Sequence, residues 1–114
     1  MNLETIKIMV KALSNEQIKA KVIDIIKKYC PECQLILIGS RARGDSNPRS
    51  DFDFVIKKNS IRPITKSIIK EEADALPTLK IIEIIDYNDL DEMFKKNVDS
   101  EGIVLYANTT SDPA

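Results

Sequence analysis

The sequence predicts an α/β (α+β) fold, a small β-sheet with helices packed against it. Short apolar runs of strand length recur along the chain, and between them apolar residues fall at helical spacing. With 114 residues, 43% hydrophobic and 31% charged, the chain has the size and balance of one soluble domain, its core running over about residues 14–107. A net charge of -1 argues against nucleic-acid binding as a general property of the surface. Glu4, Lys7 and Lys11 interrupt the apolar residues at the start, so neither a signal peptide nor a membrane span is expected and a cytoplasmic location is.

The first dozen residues place Ile6, Met9, Val10 and Leu13 at helical spacing, although Ile6-Lys7-Ile8 also fits a strand; a helix is the reading adopted. Ser14-Asn15-Glu16-Gln17 has the spacing of a capping box and starts the next helix. Ile18, Val22, Ile25 and Ile26 form its apolar stripe, Lys19, Lys21, Lys27 and Lys28 its solvated side, and Pro31 ends it. Cys30-Pro31-Glu32-Cys33 is a CxxC. Such a pair suits a redox couple or half a zinc site; with no second such pair and no histidine in the chain, a structural zinc site is not expected, and two thiols flanking the turn at Pro31 are the reading adopted.

Gln34–Ile38 is an apolar run suited to a strand covered on both faces, ended by Gly39. Residues 51–56 give a neighbouring strand. Pro63 fits the first turn of a helix that continues through Ile64, Ile68 and Ile69 until Pro77 stops it. Residues 79–85 form the third strand. Asn88 is the expected cap of a helix through Asp91, Met93 and Phe94, with Gly102 as its terminator. Ile103–Tyr106 is a last short strand, and residues 108–114 a polar tail expected to fray.

The chemistry gathers around the first two strands. Gly39 permits close approach of a phosphate, Ser40 adds a hydroxyl and an amide, and Arg41 and Arg43 stand nearby as cationic donors. Gly44 and the loop-forming Asp45-Ser46-Asn47-Pro48 then lead to Asp51-Phe52-Asp53. Strand residues two apart point the same way, with Cα atoms roughly 6.5–7 Å apart, so Asp51 and Asp53 share one face while Phe52 and Phe54 enter the core. Carboxylates converging in this way suit Mg²⁺, and two such ions can hold a nucleophile and a pyrophosphate leaving group in line. Glu83 lies inside the apolar run Ile81-Ile82-Glu83-Ile84-Ile85, where a carboxylate needs a bound partner, and is taken as the third acid. Asp86, its competitor, sits where a turn or helix entry explains it.

Gly39-Ser40-Arg41-Ala42-Arg43-Gly44, Ser50-Asp51-Phe52-Asp53 and the later acid, closing on Glu101-Gly102-Ile103-Val104-Leu105-Tyr106, resemble the minimal nucleotidyltransferases of the DNA polymerase β superfamily. The resemblance runs from the capping-box helix to Tyr106. It implies a mixed sheet flanked by helices and Mg²⁺-dependent transfer of a nucleoside monophosphate from an NTP with release of pyrophosphate. On it, Gly39 and Ser40 bind the triphosphate, Asp51 and Asp53 bind metal, and Glu83 takes a place that is more typically aspartate. Stand-alone members of this size resemble antitoxins that transfer AMP from ATP to a tyrosine hydroxyl of a HEPN-domain ribonuclease toxin, and such a toxin is the implied partner. A different reading is a non-catalytic module that keeps the fold and neutralises its partner by contact, using exposed apolar residues around Met93 and Phe94. A third is a small-molecule nucleotidyltransferase assembled across an oligomer.

Overall fold

The computed structural model describes residues 12–44 and 51–108. The expected N-terminal helix apart from Leu13, the Asp45-Ser46-Asn47-Pro48 loop, Ser50 and the tail beyond Asn108 lie outside the described residues. The elements run α1 (Asn15–Tyr29), β1 (Gln34–Ile38), α2 (Ser40–Arg43), β2 (Phe52–Lys57), α3 (Pro63–Asp74), β3 (Ile82–Asp86), a 3₁₀ turn (Tyr87–Asp89), α4 (Glu92–Glu101) and β4 (Ile103–Tyr106). Among the described residues no helix is long and apolar enough to cross a membrane.

Helix α1 begins where its capping box places it. The Ser14 hydroxyl accepts from the Gln17 amide at 3.2 Å, and the Gln17 side chain accepts from the Ser14 amide at 2.8 Å, so two of the orphan donors of the first turn are satisfied. Its apolar stripe is buried along its whole length. Beyond its end the Cys33 amide donates to the Cys30 carbonyl at 3.0 Å. This tight turn brings the two Cα atoms to 5.6 Å, and the cysteines are joined as a disulfide. The free thiols expected from the sequence are corrected accordingly: 5.6 Å is within bridging reach. The Tyr106 hydroxyl donates to the Pro31 carbonyl at 2.9 Å and ties β4 to the same turn.

The sheet has the order β3-β2-β1-β4 and is mixed: β1 pairs antiparallel with β2 and β4, and β2 pairs parallel with β3. β1 and β2 are therefore the central pair. Strand periodicity divides their residues between two faces. Leu35, Leu37, Phe52, Phe54, Ile56, Ile82 and Ile84 pack with Ile18, Val22, Ile26, Ile69 and Ala73 of α1 and α3. The rings of Phe52 and Phe54 are stacked, their centroids 5.7 Å apart. On the opposite face Ile36 and Val55 meet Val98 of α4 in a smaller cluster bordered by Ile38, Ile85, Tyr87 and Leu90.

Two expectations are revised and a third is met. The third strand starts at Ile82, not at residue 79, and Leu79 and Ile81 are 62% and 61% exposed; apolar residues alone do not extend a strand once the neighbouring β2 backbone ends. The cap of α4 is Asp91, whose carboxylate accepts from the Phe94 amide at 2.8 Å. Asn88 sits in the preceding 3₁₀ turn and donates to the Lys58 carbonyl at 2.8 Å. Gly102 ends α4 as expected, with an extended backbone; a Cβ there would come within 2.5 Å of Ile36 Cγ2 and 2.6 Å of the Val98 carbonyl. Close packing on β1 is what requires glycine.

Candidate active site

The antiparallel register places Ile38 opposite Asp53, and the parallel register places Asp53 opposite Glu83. The turn that follows β1 therefore stands beside two carboxylates on neighbouring strands. Gly39 has φ 75°, in the region favourable to glycine, and a Cβ on it would lie 2.9 Å from Asp53 Oδ2. Any side chain at this position would both strain the turn and strike the acid. Gly39 caps the short α2, accepting from the amides of Ala42 and Arg43 at 3.1 Å each.

Asp53, Glu83, Gly39 and Arg43 line a cleft of about 280 Å³, closed on its other side by α4 through Phe94, Asn97 and Glu101. The Asp53 carboxyl is held above its ordinary value, first by burial, then by the negative charges of Glu83 and Asp51, and by a hydrogen bond with Glu83. A half-buried carboxylate whose charge is disfavoured by neighbouring acids calls for a cation, and hard oxygen ligands of this kind fit Mg²⁺. Among the described residues, however, no three acidic or cysteine side chains are arranged to hold a metal ion. Asp51 has one carboxylate oxygen engaged, accepting from the Ile81 amide at 3.1 Å. It clamps the approach to β3, and it is not among the residues that line the cleft.

The anticipated residues are thus only partly brought together. Asp53, Glu83, Gly39 and Arg43 share the cleft, whereas Ser40, Arg41 and Asp51 stand beside it. Arg41 donates to the Asp51 carbonyl at 3.3 Å and lies over the Phe52 ring at 4.0 Å, against the α1/α3 side of β2. Glu83 is not buried, as its apolar neighbours suggested. It is exposed, because β3 is an edge strand and α4 stops short of it, while Ile82 and Ile84 on either side face the core. Asp86 is the buried acid. Its parity puts it on the α1/α3 face, where Lys66 of α3 pairs with it at 3.2 Å and its other oxygen accepts from the Asn88 amide at 3.0 Å. This is the turn-entry role expected of Asp86. Phe94, Asn97 and Glu101 were not anticipated as site residues. Their spacing marks one helix face, but which face of α4 meets the sheet depends on contacts that the local sequence does not contain.

The sequence profile described as "Polymerase beta, Nucleotidyltransferase" matches residues 20–111, from within α1 through β4, and so includes every residue that lines this cleft. The chain belongs to the polymerase beta nucleotidyltransferase family. No curated protein is a significant sequence match to this nucleotidyltransferase domain. Several solved structures share its fold. A toxin–antitoxin structure with AMP-PNP superposes at TM-score 0.63 and 19% identity, covering 81% of this chain and 75% of that one. A tri-AMPylated Shewanella oneidensis HEPN toxin in complex with MNT antitoxin gives 0.59 at 17% identity, over 81% and 71% of the two chains. The toxin–antitoxin pair MntA–HepT gives 0.58 at 20% identity, over 86% and 77%. At these identities the likeness is one of fold.

Proposed function

We propose that the chain is a Mg²⁺-dependent adenylyltransferase that moves AMP from ATP to a hydroxyl, a tyrosine by the family resemblance, of a HEPN-domain toxin, and acts in the cytoplasm as that toxin's antitoxin. The observation that carries this reading is the juxtaposition of Asp53 and Glu83 across β2 and β3 directly beside the Gly39 turn. Family membership supports the reaction class, and the toxin–antitoxin structures that share the fold support the partner.

In this reaction the acceptor oxygen attacks the α-phosphorus of ATP, the bond to the β-phosphate oxygen breaks, and pyrophosphate leaves. Asp53 and Glu83, with Asp51 once its carboxylate turns from Ile81, would hold the cations, two by the family pattern. Bound there, Mg²⁺ neutralises the triphosphate and lowers the barrier to charge build-up on the leaving group. Gly39 leaves room for the phosphates, with Ser40 and Arg43 as donors at the turn and Arg41 bracing the start of β2. Glu83 or Asp53 would take the proton that the acceptor hydroxyl loses. The exposed apolar side chains of Met93, Ile103 and Val104 offer a surface on which a protein can dock its acceptor.

The contact-only reading draws on one observation, the engagement of Asp51 by Ile81 in place of a three-carboxylate metal set. The two separate in a single assay. Labelled ATP, Mg²⁺ and the protein encoded by the adjacent gene are incubated with wild type, Asp53→Asn or Asp51→Ala/Asp53→Ala. Label on the neighbour from wild type alone supports transfer. Equal neutralisation of the neighbour by wild type and the variants, with no label, establishes contact instead.

A further inference from the structure

The cleft is longer than its carboxylate end requires. Gly102 packs on Ile36, and β4 begins opposite Leu37, so the C-terminal end of α4 lies at the Gly39 end of the sheet. From Glu101 back to Phe94 the helix lines the cleft over about 10 Å of rise. Its far end is uncharged: Phe94 stands on the helix side and Ile85 on the sheet side. Ile85 is the register partner of Val55, two residues beyond Asp53 on the same face.

Core packing does not account for Phe94. From α4 it is Val98 that is buried in the small cluster with Ile36 and Val55, and Phe94 is 47% exposed. Its position is nevertheless set, because its amide is the donor that Asp91 caps. Asn97, one turn further on and exposed, lines the same cleft and offers both an acceptor carbonyl and amide donors. One end of the cleft therefore suits phosphates and cations, and the other presents an accessible aromatic face with a hydrogen-bonding amide beside it.

Resting on the nucleotidyl-transfer reading, we propose that Ile85, Phe94 and Asn97 form the slot for the nucleobase, which stacks on Phe94 and meets Asn97 along its edge. A nucleobase and an acceptor tyrosine are both planar rings able to stack on Phe94. Reach favours the base. It must sit one ribose away from the phosphate held at Gly39 and Asp53, and Phe94 lines the same groove two helical turns back from Glu101, whereas an acceptor needs only its hydroxyl at the phosphorus.

The test titrates the full chain with ATP and with inorganic tripolyphosphate, each with Mg²⁺. Phe94→Ala should weaken ATP about tenfold, the loss expected for one base–aromatic stack, and leave tripolyphosphate unchanged. Phe94→Trp should restore ATP binding, and Asn97→Ala should narrow the difference between ATP and CTP. ATP binding by Phe94→Ala as tight as wild type overturns the slot; if label transfer to the partner then still falls, the ring belongs to the acceptor. A parallel loss of both ligands also overturns it, because the effect would not be specific to the base. Failure of wild type to bind either ligand would instead remove the nucleotidyl-transfer reading itself.

Discussion

On one face of the sheet Leu35, Leu37, Phe52, Phe54 and Ile56 are sealed beneath α1 and α3, while the alternate residues of the same strands form a face that α4 covers only in part. The sealed face holds Asp86, the one buried acid among the described residues, in an ion pair and a cap. The open face leaves Asp53 and Glu83 side by side, repelling each other. Period two lets one strand do both jobs, because Phe52 and Phe54 anchor β2 from behind while Asp53 between them is held forward. Stability and chemistry should therefore respond separately to substitutions one residue apart.

The most severe way to break this division is at its anchor. Phe54→Ala, at a fully buried ring, should cost about 3–5 kcal/mol in denaturant unfolding, enough to threaten folding. Next to it, Asp53→Asn, like Glu83→Gln, should lower transfer to the partner by about 100-fold or more without loss of melting temperature. Significant activity in both variants would show that the open face is not catalytic. Asp86→Ala sharpens the contrast from the other side. It should cost about 1–2 kcal/mol through the lost turn cap and the lost ion pair with Lys66, which keeps Asp89 as a partner, while the folded fraction still transfers AMP; inactivity in a folded Asp86 variant would give it the third acidic place instead of Glu83.

A smaller effect concerns pH. The folded Asp53 carboxyl titrates above its unfolded value of 3.8, so the stability it contributes is full below that value and is lost as pH rises through the folded pKa. Asp53→Asn should therefore be slightly more stable than wild type at neutral pH without divalent cations, with the gain shrinking in mild acid. Added Mg²⁺ should raise the wild-type melting temperature and leave that of Asp53→Asn nearly unchanged. The smallest change is expected at the pin that holds α4 over the open face, where the Tyr87 hydroxyl donates to Asp99 at 2.8 Å and Lys57 pairs with the same carboxylate at 3.2 Å. Tyr87→Phe should cost about 0.5–1 kcal/mol, read as faster hydrogen exchange in α4 and not in α1.

Much of the fold was legible because its signals are local. A capping box needs only Ser14 and Gln17, the stripe of α1 only its own periodicity, and the strand at Gln34–Ile38 only an uninterrupted apolar run before Gly39. Where a neighbour decided the outcome, the local reading slipped. Ile81 is as apolar as Ile82, but its amide is taken by the Asp51 carboxylate and its side chain is exposed, and Asn88 lost the helix cap to Asp91 because a 3₁₀ turn intervenes. Glu83 was picked out for a burial it does not have, yet the register sets it opposite Asp53.

The sequence by itself determined the order of elements, the polymerase β-like signature and the residue types from which a phosphate-and-metal site can be made. Tertiary structure alone decided which of them meet. It set Glu83 beside Asp53 and Asp86 behind the sheet, turned Asp51 toward the Ile81 amide, and laid Phe94, Asn97 and Glu101 of α4 along the cleft. Caps and periodicities act within a turn or a strand, whereas register and helix docking are settled by contacts between residues thirty or more positions apart.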